Sequence, residues 1–128
     1  MNFLKTLLVA AIAVFAPIQG VITTVLVLTM IDLITGLCAA RKRQEKITSR
    51  GLRRTVAKIL VYEIACACAF LTQLYLTGPL LPCLSLLTTL IGVVELKSIL
   101  ENLDTCYGES IFKAVISGLM SGQEDKKE

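Results

Sequence analysis

The chain has 128 residues, of which 55% are hydrophobic, with a net charge of +3 and a mean hydropathy of +0.73. This length suits one domain and leaves no room for a separate soluble module, and the apolar share exceeds the roughly 45–50% of a globular domain. There is no histidine, no Ser, Cys or Lys nucleophile beside a base and no phosphate-binding glycine loop, so neither catalysis nor a cofactor is expected.

The apolar residues fall into long blocks, with the charges between them. A bilayer core about 30 Å thick needs roughly 20 helical residues, and the blocks approach that length. The expected fold is all-α: an integral membrane bundle of three to four transmembrane helices over residues 1–108, then a short C-terminal amphipathic helix and polar tail over 109–128. Residues 3–19 are apolar apart from Lys5 and Thr6 and end at Pro17 and Gln19-Gly20. The segment has the outline of a signal peptide, but a second apolar block follows at once, so an uncleaved first span, tilted or interfacial, is favoured. The span over 21–40 is the clearest and stops at Arg41-Lys42-Arg43. The connection over 41–54 is polar, with Thr48 or Ser49 placed to cap the next helix. The third span covers about 55–77, and Gly78-Pro79-Leu80-Leu81-Pro82 is a tight turn. The last span runs over about 82–100. Beyond it, Ile111, Val115, Ile116 and Leu119 recur at helical spacing, as in a helix lying on the membrane surface.

Eight of the thirteen Lys and Arg lie between positions 41 and 58. The group Arg41, Lys42, Arg43, Lys46, Arg50, Arg53 and Arg54 abuts apolar spans on both sides and lacks interleaved aromatics. It reads as a positive-inside loop in reach of anionic lipid rather than a nucleic-acid surface. This places the loop and the C-terminus in the cytoplasm. The N-terminus lies inside if residues 3–19 cross and outside if they lie flat. The five cysteines form no C-x-x-C pair, and four sit in apolar blocks as small hydrophobes, so no disulfide framework or metal site is expected.

Charged groups at bilayer depth are costly, and each one needs a reason. Asp32 lies nine residues before Arg41 and Glu63 nine after Arg54, so both sit roughly 13 Å below the basic ends of their helices. Glu95, about 13 residues below Pro82, reaches the same half from the other direction. Lys58 is the nearest cation. The three acids either tie the helices together or face a water-filled path in an oligomer, and the same face could do both. Small residues at Ala65–Ala69 and at Thr35, Gly36, Ala39 and Ala40 allow close helix contact.

Three pieces of the sequence carry a resemblance. Asp32-Leu33-Ile34-Thr35-Gly36 resembles the D-x-x-T-G signature of a phage holin family that also includes holin-like proteins of clostridial toxin release. Ala40-Arg41-Lys42 follows as in that family, and Ser49 and Gly51 precede a helix bearing Lys58. Glu95 to Asn102, with Ser98, Ile99 and Glu101, fits the family's E-x-x-S-I-x-E-N stretch. The likeness covers about residues 21–108 and leaves the segment at 3–19 ahead of it. It implies a multi-pass protein of the bacterial host's cytoplasmic membrane that forms homo-oligomers in the lipid bilayer. The lesion it makes lets an endolysin escape, without direct contact between the two being necessary. Asp32, Thr35, Gly36, Lys58, Glu63, Glu95, Ser98, Glu101 and Asn102 are the candidate assembly residues. The competing readings are a virion-associated membrane protein with a structural or genome-passage role, and a small channel subunit.

Overall fold

The computed structural model describes residues 2–108, 110, 114, 115, 117 and 118. Four helices carry the fold: α1 (Asn2–Phe15), α2 (Gln19–Lys42), α3 (Ser49–Thr72) and α4 (Cys83–Tyr107), and no strand occurs among the described residues. Three helical stretches, Asn2–Lys42, Ser49–Leu80 and Cys83–Tyr107, are long and apolar enough to cross a membrane. The expected surface helix falls mostly outside the described residues.

The segment at 3–19 does not fold back as a separate span. A single 3-10 turn over Ala16–Ile18, with Pro17 inside it, joins α1 to α2, and the backbone from Phe15 to Gln19 never reverses. Proline fits there because the first turn of a helix needs no amide from it. No residue of α1 is buried, and its Phe15 ring lies 6.3 Å from that of Phe70 on α3.

The loop between α2 and α3 is shorter than the sequence suggests. α3 begins at Ser49, so Arg50, Arg53 and Arg54 belong to its first turns. α2 closes with Gln44 in the left-handed region (φ 58°), while the Glu45 amide donates to the Ala40 carbonyl at 3.0 Å. This is the six-to-one bond that ends many helices. Thr48 occupies the N-cap position of α3 in extended conformation, but its side chain makes no capping bond, which corrects the expected role. At the opposite end a π-type turn over Gln73–Thr77 leads to Gly78, whose φ of 55° and ψ of −138° suit only glycine. The Gln73 side chain accepts the amide of Leu84 at 3.1 Å and so satisfies a free donor in the first turn of α4.

α3 runs antiparallel to both α2 and α4, which are parallel to each other, so the C-terminal end of α4 lies on the side of the basic loop. Val25 (α2), Cys66 (α3) and Ile91 (α4) form the small core, with Tyr62, Leu84 and Leu87 against it. Cys66 comes from the expected small-residue segment and Ala39 from the other, and both are fully shielded. The outer faces carry Leu26, Val27, Ile34, Leu60, Val61, Ile64, Leu86 and Leu90, all exposed. A small core within an apolar exterior is what lipid, rather than water, requires. Threonines survive in these helices because their hydroxyls bond back one turn, as Thr29 does to the Val25 carbonyl at 2.9 Å.

Candidate functional site

The D-x-x-T-G segment and the late E-x-x-S-I-x-E-N segment lie far apart in the chain and meet in space. Gly36 on α2 is the contact point, where an added Cβ would sit 3.5 Å from the Asn102 amide nitrogen. A small residue there lets α2 and α4 approach, with room for no more than a methyl at ordinary contact distance. One turn deeper, Asn102 donates to Asp32 at 3.2 Å and to the Thr35 hydroxyl at 3.4 Å. The Thr35 hydroxyl itself donates to the carbonyls of Ile31 and Asp32.

Lys58 enters this contact from α3. Its ammonium lies 2.9 Å from Asp32 Oδ2 and 2.7 Å from Glu95 Oε2. The Tyr62 hydroxyl donates to Glu95 Oε1 at 2.8 Å, and the Lys58 ammonium stands 5.9 Å from the Tyr62 ring centre. One cation thus bridges carboxylates on two neighbouring helices and links all three spans. Glu95 is 0% exposed, Asp32 16% and Lys58 29%. Two acids share one base, and Asn102 and Tyr62 add donors to the carboxyl groups of Asp32 and Glu95 respectively.

A cavity of about 520 Å³ descends toward this network from the loop side. Lys46, Thr48 and Ser49 line its upper part, Leu33, Leu37 and Leu52 its sides, and Asp32, Ser98 and Asn102 lie deeper. Ser98 therefore belongs to the cavity wall.

Other candidate residues lie elsewhere. Glu63 is on α3 but outside the network: both its carboxyl oxygens are shielded and accept no hydrogen bond. Glu101 pairs with Lys97 at 3.6 Å on the exposed side of α4, and Lys97 drew no attention in the sequence. Tyr62 was also missed, although it lies one turn after Lys58. The basic residues Arg41, Lys42, Arg43, Lys46, Arg50, Arg53 and Arg54 are all exposed. Arg43 donates to both oxygens of Glu45, at 2.8 and 3.2 Å. That hydrogen bonding holds the Glu45 carboxyl below its ordinary range and raises the guanidinium. Among the described residues no group of three His, Cys, Asp or Glu side chains could hold a metal ion.

Residues 9–119 match the model of the bacteriophage holin family, and the chain belongs to that family. The match starts at Val9, so most of the segment expected to precede the family region lies within it. No curated protein and no solved structure matches the chain.

Proposed function

From membership of the bacteriophage holin family we propose that this chain oligomerises in the inner membrane of a bacterial host and permeabilises it, so that an endolysin reaches the cell wall. The basic loop faces the cytoplasm by the positive-inside bias, and the end of α4 lies on the same side. The observation that carries the reading is the network of Asp32, Lys58, Glu95, Tyr62 and Asn102. A protein that collects in a membrane without harming it must keep its charges closed inside each copy, because a charge left in hydrocarbon is expensive. A lesion needs polar groups that can turn to water.

The network meets both demands. Its members come from three different helices, so helix separation exposes Asp32, Lys58 and Glu95 together. The cavity on the loop side supplies a route by which water reaches Asp32 first. Glu63 is a reserve polar group of the same kind, held without a partner in the closed bundle.

The test is inducible expression in bacteria with a co-expressed endolysin, following membrane potential and enzyme release in time. Abrupt loss of potential followed by release supports the reading. Cells that keep both potential and enzyme at high membrane abundance refute it.

A further inference from the structure

The loop end of the bundle carries more uncovered apolar surface than its charge suggests. Ile47, between Lys46 and Thr48 in the connection, is 56% exposed, and Leu52 near the start of α3 is 55% exposed. Both line the cavity of about 520 Å³, together with Leu33 and Leu37 of α2. That volume lies in the range of sites that hold a ligand. From Arg41, where the charges begin, to Asp32 at its floor, the cavity reaches roughly 13 Å into the bundle. It therefore straddles the level at which headgroups give way to hydrocarbon.

The polar groups at the mouth can all donate. Among the described residues the Lys46 ammonium and the Thr48 and Ser49 hydroxyls have no hydrogen-bond partner. Arg50 adds an exposed cation on the adjoining turn of α3. The acids nearby are already engaged. Glu45 accepts both bonds from Arg43, and Asp32 is held by Lys58 and Asn102. An uncommitted cation above apolar walls complements a molecule with an anionic head and an apolar chain. A zwitterionic head brings an ammonium of its own toward Lys46 and Arg50, so net negative charge identifies the occupant.

We infer that this cavity binds one anionic phospholipid of the leaflet on the loop side. Its phosphate sits at Lys46, Thr48 and Ser49, and the first part of one acyl chain lies against Leu33, Leu37 and Leu52. The site needs only the membrane setting that the three long apolar stretches supply and goes beyond the lysis reading. Its one consequence for that reading is that a seated chain fills the route to Asp32, so water follows when the lipid leaves.

The test is phospholipid binding to the purified full-length chain in detergent, counted by native mass spectrometry. Phosphatidylglycerol is compared with phosphatidylcholine of matched chains. One phosphatidylglycerol per chain is expected to bind about fivefold or more tightly than phosphatidylcholine. Gly51→Leu is the decisive variant. Gly51 lines the cavity and an added Cβ meets nothing within 4 Å, so a larger side chain takes up the space while every charge stays. This variant is expected to lose the preference. Lys46→Gln, at an exposed position, is expected to lower phosphatidylglycerol affinity by about fivefold, equivalent to about 1 kcal/mol. Lys97→Gln removes the same charge from the outer side of α4 and is expected to leave that affinity unchanged. A preference that survives Gly51→Leu overturns the inference, because diffuse attraction to the basic loop then explains it. Equal losses from Lys46→Gln and Lys97→Gln do the same. Displacement of the lipid by inorganic phosphate overturns it too, since the head alone then suffices. Equal retention of the two lipids leaves the cavity to another occupant. None of these outcomes touches the lysis reading, which membrane potential decides.

Discussion

Replacing Lys58 by methionine removes the one charge that two helices share. Asp32 and Glu95 each lie within 3 Å of its ammonium, so the abandoned oxygens stand no more than about 6 Å apart and repel across a medium of low dielectric. Asp32 keeps the Asn102 amide and is partly open to the cavity, so its share is small. Glu95 is fully shielded and retains only the Tyr62 hydroxyl, so it bears most of the loss. Removing one member of a buried pair costs about 3–5 kcal/mol. Detergent-driven unfolding in bicelles, followed by circular dichroism, measures this difference between Lys58→Met and the unsubstituted chain. Adding Glu95→Leu should recover most of the loss. A deficit below about 1 kcal/mol, or one that survives in the double variant, refutes the reasoning.

Glu63 on α3 and Glu95 on α4 should respond in opposite directions to the same change. Glu63→Leu removes shielded oxygens without partners and is expected to stabilise the bundle by about 1–3 kcal/mol. Glu95→Leu orphans the Tyr62 hydroxyl and one contact of Lys58 and is expected to destabilise it by a similar amount in the same unfolding assay. Gly36→Ala places its methyl at ordinary contact distance from Asn102 and should be neutral or gain up to about 1 kcal/mol. Gly36→Leu, in contrast, should wedge α2 from α4, read as loss of cross-linking between cysteines placed on those two helices. Asp32→Asn should shift the time of lysis while leaving the amount of protein in the membrane unchanged, measured by culture turbidity and membrane-fraction immunoblot.

The contrast between Glu63 and Glu95 shows what sequence can convey about a membrane bundle. Counting residues from a charged boundary gives depth, because every helical residue advances by a fixed rise, and on that measure the three acids looked equivalent. Rotation about the helix axis decides their fates. Tyr62 is four residues from Lys58 and lies about 40° around the helix, whereas Glu63 is five away and about 140° around. Tyr62 therefore joins the network and Glu63 does not. The same count separates Glu95 from Lys97, two residues apart and so on nearly opposite faces of α4. Rotation could be calculated from sequence, but choosing which face points inward requires the positions of the neighbouring helices. Gly36 and Asn102 supply that information here only once they are seen in contact.

Helix ends show a related limit. The charges at Arg50, Arg53 and Arg54 mark a change in polarity, yet α3 begins before them at Ser49. A backbone helix satisfies its own amides in water or lipid alike, so charge signals where hydrocarbon stops and not where the helix does. Pro17 and Gln19-Gly20 erred in the opposite sense, suggesting a break where the chain continues through one tightened turn. Depth and rotation conflict wherever a charged side chain sits low on a spanning helix yet turns away from its neighbours. Lys97 and Glu101 are such a pair, and on the outer side of α4 they face each other at 3.6 Å.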